Sequence, residues 1–263
     1  MEVRSIKRGK KTANEIVAAA RATTKITPLE LASLLFTKFI ELHGDRALGD
    51  DPAICGGLAY LGTQPVTVIA TVKGQQLNQK IATHFGSPEP AGYRKALRLM
   101  QQAAKFKRPV INLVDTPGAY PGKEAEQHGQ GAAIAQTILA ASQLPVPLIT
   151  IITGEGGSGG ALALASADQV WMLENSIYAI LSPEGFASIL WKDAARAPEA
   201  AELMQLTPTK LYQHGIIDAI IPERSPKRLA AVLQKKLQHE LGQLQSLTPA
   251  SLLEQRQQRF RQY

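Results

Sequence analysis

A run of glycines between a strand pattern and a helix pattern constrains this chain most. Residues 154–160 read Gly-Glu-Gly-Gly-Ser-Gly-Gly, so five of the seven positions lack a Cβ atom. The preceding residues 146–153 are apolar enough for a buried strand, and residues 161–167 are rich in alanine and leucine, as in a short helix. We expect a loop at 154–160 that a ligand or another stretch of backbone approaches closely.

Tight packing of the strand against the helix would explain these glycines without any function. A dinucleotide-binding fingerprint is a second interpretation, because Gly154-x-Gly156-x-x-Gly159 fits G-x-G-x-x-G and Glu174 lies 20 residues past the first glycine. Glu155 weakens this interpretation, since it would place a carboxylate beside the pyrophosphate. The predicted helix is also short for such a unit.

A nucleophile elbow is a third interpretation. Residues 156–160 satisfy G-x-S-x-G around Ser158, and Asp168, Asp193 and His214 follow in the chain order of many hydrolases. Asp168 is too close to Ser158 in sequence to be a typical triad acid, and no motif surrounds His214. The serine hydrolase therefore remains an alternative.

The fourth interpretation needs no reactive side chain. Backbone N–H groups at a helix N-terminus, exposed by glycine, form a preorganised site that stabilises an anion. A second loop, residues 115–122 (Asp-Thr-Pro-Gly-Ala-Tyr-Pro-Gly), could add an N–H group from Gly118 or Ala119. Its D-x-x-G pattern is also typical of a GTPase switch, but the chain has no P-loop to hold the phosphates.

The order of elements predicts an α/β fold with helices packed on a sheet. Two helices are expected across residues 12–45, the second beginning at Pro28 with an apolar stripe of Leu31, Leu34, Leu35, Phe39 and Leu42. Residues 73–90 are rich in turn formers and predict a mobile loop. Strands are predicted at 53–61, 66–72, 109–114, 146–153, 169–173 and 176–180, and further helices at 92–106, 126–143, 183–191, 198–213 and 226–260.

Charge and composition narrow the class of protein. Among 263 residues, Lys and Arg number 29 against 22 Asp and Glu, which favours anionic partners. Aromatic residues make up only 5%, so we expect no nucleic acid partner. The single cysteine, Cys55, excludes an internal disulfide and any multi-cysteine metal site, and we predict no metal on this chain. No apolar run is long enough to span a membrane or to serve as a signal peptide, so we expect a soluble cytoplasmic protein.

Five ordered stretches resemble one known family, the alpha subunits of the bacterial acetyl-CoA carboxylase carboxyltransferase. They are Glu41-Leu-His-Gly-Asp-Arg46, Gly92-Tyr-Arg-Lys-Ala-Leu-Arg-Leu-Met100, residues 115–122, Gly154-Glu-Gly-Gly-Ser-Gly-Gly-Ala161 and Ile180-Leu-Ser-Pro-Glu-Gly-Phe-Ala-Ser-Ile-Leu-Trp-Lys192. They run in family order across most of residues 40–223. The loop at residues 73–80 is less charged than the family usually has.

The resemblance implies a crotonase-like fold of ββα units with helical extensions at both ends. The implied division is an N-terminal helical extension at 1–45, a carboxyltransferase core at 46–223 and C-terminal helices at 224–263. The implied reaction transfers a carboxyl group from carboxybiotin on a carrier protein to acetyl-CoA, giving malonyl-CoA for fatty-acid synthesis. The implied partners are a beta subunit, in an α2β2 assembly, together with the biotin carboxyl carrier protein and biotin carboxylase.

The resemblance also assigns site residues. Gly159 and Gly160 would donate backbone N–H groups to the biotin ureido oxygen. Gly156 and Gly157 would shape the turn, and Gly118 and Ala119 would line the same cleft. Zinc would be held only by the beta subunit. The alternatives are the serine hydrolase and a crotonase-type acyl-CoA hydratase or isomerase, which would need a carboxylate from Glu124, Glu126 or Glu155 in the cleft.

Overall fold

The computed structural model describes residues 11–262, which form an α/β structure. Five of the described helices begin at a Ser or Thr followed by proline, a pairing that favours helix initiation. The helices are α1 (Ala13–Ala20), α2 (Pro28–Leu35), α3 (Leu77–Ala82), α4 (Pro90–Lys105), α5 (Lys123–Gln127), α6 (Gln130–Ser142), α7 (Ser158–Ala165), α8 (Pro183–Trp191), α9 (Ala197–Leu203), α10 (Pro208–Gln213), α11 (Pro226–Gln245) and α12 (Pro249–Phe260).

The strands are β1 (Thr37–Glu41), β2 (Ile54–Leu61), β3 (Gln64–Thr71), β4 (Val110–Thr116), β5 (Leu148–Gly157), β6 (Gln169–Leu173), β7 (Ile177–Ala179) and β8 (Ala219–Ile221). Within the described residues they belong to one mixed sheet with the order β1-β2-β3-β4-β5-β6-β8, and β7 pairs with the far end of β5. The first three strands are antiparallel, and the pairs from β3 onward are parallel.

The predicted helix over residues 28–45 is wrong in its second half. Helix α2 ends at Leu35, and Phe36 is extended with φ −118° and ψ 153°. Residues 37–41 then pair with β2 as an exposed edge strand. Part of the segment assigned to the helical extension therefore belongs to the core sheet. The first ten residues of that extension lie outside the described residues.

Four other segments differ from the predictions. Residues 73–90, predicted as a mobile loop, contain α3 and a 3₁₀ turn at His84–Gly86, so the segment has regular structure that the sequence did not indicate. The predicted helix 126–143 is two helices, because Gly129 has φ +81° and breaks it. The helices predicted at 198–213 and 226–260 are each divided in two, and α10 and α12 begin at Pro208 and Pro249.

Two apolar cores lie on the two faces of the sheet. One packs α2 and α11 around Trp171. The other packs α4, α6 and α7 against the opposite face. This second layer places the N-terminus of α7 beside the carboxyl end of β4, where ligand sites form in parallel sheets. No helix within residues 11–262 is long and apolar enough to cross a bilayer.

Candidate active site

The glycine-rich segment is the direct junction of a strand and a helix. Strand β5 continues to Gly157, and α7 starts at Ser158, so the prediction of a loop at 154–160 is wrong. Residues 155–157 pair with β7, and Gly156 also pairs with Thr116 of β4. Ser158 makes the turn with φ +55°, in the left-handed region. We call residues 157–160 the glycine turn.

Missing Cβ atoms let a second turn, residues 117–119, lie against the glycine turn. A Cβ on Gly157 would be 2.0 Å from the carbonyl oxygen of Pro117. A Cβ on Gly160 would be 2.6 Å from the nitrogen of Ala119 and 3.0 Å from the carbonyl carbon of Gly118. The structure therefore brings together the two segments that the sequence singled out. A valine at position 160 would collide with protein backbone, whatever ligand is bound.

The other two candidate glycines have different surroundings. A Cβ on Gly156 would be 3.0 Å from the Tyr178 ring, which is tight. A Cβ on Gly159 would be 3.7 Å from Cγ2 of Ile134, an ordinary van der Waals contact. Gly159 thus tolerates a side chain in the free chain, whereas Gly157 and Gly160 do not.

Backbone N–H groups are the donors that this site offers. Gly159 and Gly160 lie in the first turn of α7, where N–H groups have no acceptor within the helix, and neither N–H has another acceptor among residues 11–262. The N–H of Gly118 is already used, since it donates to Oγ1 of Thr116 over 3.1 Å. The positive end of the helix dipole adds to the preference for an anion at the glycine turn.

Five charged side chains converge on the strand before the glycine turn. Nζ of Lys73 lies 2.7 Å from Asp115 Oδ1 and 2.7 Å from Glu155 Oε2. Nε of Arg21 lies 2.7 Å from Glu155 Oε1, and Nη1 of Arg21 lies 2.7 Å from Glu184. The Asp115 carboxylate also accepts the backbone N–H of Glu155 over 2.8 Å. This charged cluster ties α1, α8 and the residues before α3 to β5.

The cluster fixes the charge state of its members. Burial alone would raise the pKa of Glu155, but Lys73 and Arg21 outweigh burial and lower that pKa. Burial would likewise lower the pKa of Lys73, but Asp115 and Glu155 raise it. Both side chains are therefore charged at neutral pH. Sequence reasoning missed the cluster, because its members are distant along the chain and share no motif.

The turn at 117–119 is held from the other side as well. Oγ1 of Thr116 donates to the carbonyl of Gly86 over 2.6 Å, and the N–H of Tyr120 donates to the carbonyl of Pro88 over 3.0 Å. The Tyr120 ring also stacks on His84 with ring centroids 3.9 Å apart. The loop is therefore fixed before any ligand binds.

The catalytic side chains that the hydrolase and hydratase alternatives require are not assembled at this site. Asp168 pairs with Arg256, and His214 Nε2 lies 2.6 Å from Gln205 Oε1, so no triad forms around Ser158 although its turn resembles an elbow. Glu155 is held by two cations, and the other two candidate carboxylates, Glu124 and Glu126, are exposed on α5. Within the described chain, no group of three His, Cys, Asp or Glu side chains could hold a metal ion.

Structural comparison defines the fold class. Transcarboxylase 12S, solved with methylmalonyl-coenzyme A and methylmalonic acid bound, matches 86% of this chain and 44% of its own with a TM-score of 0.70 at 20% identity. A Pseudomonas malonate decarboxylase hetero-tetramer in complex with coenzyme A matches 88% of this chain and 92% of its own with a TM-score of 0.69 at 18% identity. The chain has the crotonase-like fold of the carboxyltransferases, as the resemblance predicted.

Sequence comparison defines the family. The model for acetyl co-enzyme A carboxylase carboxyltransferase-like proteins matches residues 5–263. The carboxyl transferase subunit alpha of Streptococcus equi subsp. zooepidemicus (strain MGCS10565) is 58% identical over 250 residues, 94% of this chain and 98% of the relative. That of Streptococcus pyogenes serotype M5 (strain Manfredo) is 56% identical over 252 residues, 95% and 98% of the two chains. The chain belongs to the family of acetyl-CoA carboxylase carboxyltransferase alpha subunits, enzymes that transfer a carboxyl group.

Proposed function

We propose that this chain transfers the carboxyl group of carboxybiotin to acetyl-CoA, as one half of a carboxyltransferase completed by a beta subunit. The observation that carries the proposal is the pair of unpartnered N–H groups of Gly159 and Gly160 at the first turn of α7. An oxyanion needs such preformed donors, and each typically stabilises it by about 2.7–4 kcal/mol.

The glycine turn fits the biotin ureido group by its donor chemistry. A ureido oxygen only accepts hydrogen bonds, and the turn offers only N–H donors with no side chain beside them at residues 159 and 160. When bound, carboxybiotin supplies the carboxyl group and a ureido nitrogen that can act as a base. The chain itself positions the oxygen and stabilises negative charge on it.

The charged cluster supports this division of work. The Glu155 carboxylate is held by Lys73 and Arg21, so it is not available as a general base. Its role is to keep β5 and the glycine turn in one geometry. We assign Gly157 and Gly156 to shaping the turn, because a Cβ at either would crowd neighbouring atoms. Gly118 and Ala119 line the cleft, with Ala119 the better candidate for a third donor because the Gly118 N–H is used.

The second half of the reaction points to a partner. Acetyl-CoA must form an enolate, which needs its own oxyanion donors, and the described residues show one glycine turn with free N–H groups. We assign the second set to the beta subunit, which would also carry the zinc, in an α2β2 assembly. The biotin carboxyl carrier protein and biotin carboxylase would deliver the carboxybiotin, and the net charge of +7 favours anionic partners.

A reverse assay tests the proposal with the assembled enzyme. The complex of this chain with its beta subunit is given malonyl-CoA with and without free biotin, and acetyl-CoA release is measured. We expect release that depends on biotin and on both subunits. Either subunit alone serves as the control. Equal activity from this chain alone, or hydration of an enoyl-CoA in place of decarboxylation, would contradict the proposal.

A further inference from the structure

Tyr93, in the first turns of α4, carries a buried hydroxyl that packing does not explain. Its side chain has no exposed surface, and within the described part of the chain its hydroxyl has no hydrogen-bond partner. The ring packs with Ala133 and Ala163, and with Ala119 and Ile134 at the edge of the cluster. A phenylalanine would fill this space equally well. An unpaired buried hydroxyl lowers the stability of the fold, so the presence of this oxygen needs an explanation other than packing.

The position of the hydroxyl supplies that reason. A Cβ on Gly160 would lie 2.4 Å from Oη of Tyr93, and the same point is 2.6 Å from the nitrogen of Ala119. The Tyr93 hydroxyl, the first turn of α7 and the turn at 117–119 therefore meet at one place. This is the junction that holds the proposed N–H donors in their relative positions.

The hydroxyl keeps its proton at this junction. Burial, with a smaller effect from the charge of Asp51, raises the pKa of Tyr93 well above its usual range. A neutral phenol can both donate and accept a hydrogen bond. Its hydrogen has no fixed acceptor, so it can turn toward negative charge that develops near the glycine turn.

We propose that Tyr93 is a positioning residue for carboxyl transfer. Its hydroxyl helps to hold the N–H donors of Gly160 and Ala119 in place when negative charge develops on the bound ureido oxygen. The inference rests on the proposed function. It assigns a role to a side chain that does not touch the substrate, because the hydroxyl is enclosed by protein. The role is exerted in the transition state, so it affects turnover more than substrate binding.

Tyr93→Phe in the assembled carboxyltransferase tests this proposal, because it removes one oxygen and keeps the ring. We expect kcat for biotin-dependent malonyl-CoA decarboxylation to fall about 10-fold, with KM within about twofold of the wild type. The melting temperature should be equal or higher, since an unpaired buried hydroxyl is removed. Tyr212→Phe, at an exposed tyrosine of α10, is the matched control and should leave kcat and KM unchanged.

An unchanged kcat in Tyr93→Phe would overturn the proposal and leave the proposed function standing. A fall in kcat accompanied by a lower melting temperature would assign Tyr93 to packing and would also overturn it. A wild-type complex without biotin-dependent activity would instead refute the proposed function. The two failures are therefore distinguishable in one experiment.

Discussion

Nζ of Lys73 lies 2.7 Å from Oε2 of Glu155, and this contact joins the residues before α3 to the strand that leads into the glycine turn. Both side chains are largely buried, and Lys73 reaches Asp115 at the same distance. Because Glu155 lies in β5 two residues before Gly157, the contact helps to hold the strand that positions the donors. The contact is therefore part of the site although neither residue reacts.

Lys73→Met should destabilise the chain by about 3–5 kcal/mol, because it leaves two buried carboxylates with one cation fewer. Turnover should fall with it, since Glu155 and Asp115, which precede the glycine turn and the turn at 117–119, lose their shared cation. Lys235→Met, at an exposed position of α11, is the control and should change stability by less than about 0.5 kcal/mol. Urea unfolding at pH 7 measures both. Equal midpoints for the two variants would contradict the account of the cluster.

The Asp45 carboxylate makes the stability of the folded chain depend on pH in the acid range. Burial alone would raise its pKa, but the N–H groups of Gly49, Ala47 and Leu48 and the guanidinium of Arg94 lower the pKa to about 2. A lowered pKa gives stability that is present above the unfolded value near 3.9 and is lost as pH falls toward 2.

Asp45→Asn should therefore be less stable than the wild type by about 2–3 kcal/mol at pH 7, and this gap should close as pH falls from about 5 to 2. Glu254→Gln, at an exposed carboxylate of α12, should show no such closing gap. Urea midpoints at a series of pH values measure it. A gap that stays constant down to pH 2 would show that the Asp45 charge does not stabilise the fold.

Arg256 attaches the C-terminal helix to the core. Its buried guanidinium pairs with Asp168 at 2.7 Å and donates to the carbonyls of Ala141, Leu144 and Val146. Arg256→Met should cost about 3–5 kcal/mol, because Asp168 and three carbonyl groups lose their donor. Arg261→Met, at an exposed position beyond the helix, should be nearly neutral. Equal melting temperatures for the Arg256→Met and Arg261→Met variants would contradict this role.

Sequence patterns predicted the parts of this fold that depend on local periodicity. The buried strands and α4 are confirmed, and the majority of their boundaries differ from the predicted ones by one to three residues. The exposed strand β1 was missed, because Phe39 and Leu42 continue the helical spacing of Leu31 and Leu35 by coincidence. All five residues of this edge strand are exposed, so its sequence lacks the alternation of apolar and polar residues that predicts a strand.

The site was predictable in its backbone and not in its side chains. Gly118 and Ala119 were expected to line the same cleft as the glycine-rich segment, and the structure places them against Gly160. Glycine made this close approach of two backbone segments foreseeable. The contact of Tyr93 with Gly160 and the pairing of Lys73 with Glu155 could not be read, since both depend on how distant elements pack.

Ser158→Ala should retain most of the carboxyl transfer, because the hydroxyl is exposed and no histidine activates it. Its backbone N–H and the φ of +55° are unaffected by the loss of one oxygen. Ser158→Gly should be more stable by about 0.5–1 kcal/mol, since glycine adopts this φ without strain. Turnover of the assembled enzyme and labelling by a fluorophosphonate are the two measurements. Abolished turnover with intact folding, or stoichiometric labelling at Ser158, would support the hydrolase alternative instead.

The N–H group of Gly159 can be removed by substitution with proline, which isolates its role in catalysis. A Cβ has ordinary room at this position, and proline is tolerated in the first turn of a helix, where the N–H has no helical acceptor. Gly159→Pro removes the donor, and Gly159→Ala adds a side-chain atom but keeps the donor.

The most direct measurement is kcat for biotin-dependent malonyl-CoA decarboxylation by the two Gly159 variants, each assembled with the beta subunit. If the backbone N–H stabilises the ureido oxyanion, Gly159→Pro should lose about 10²–10³ in kcat, while Gly159→Ala stays close to the wild type. Circular dichroism, melting temperature and assembly with the beta subunit confirm that both variants are folded. Equal kcat values for the folded proline and alanine variants would contradict the claim that the Gly159 N–H is a donor in catalysis.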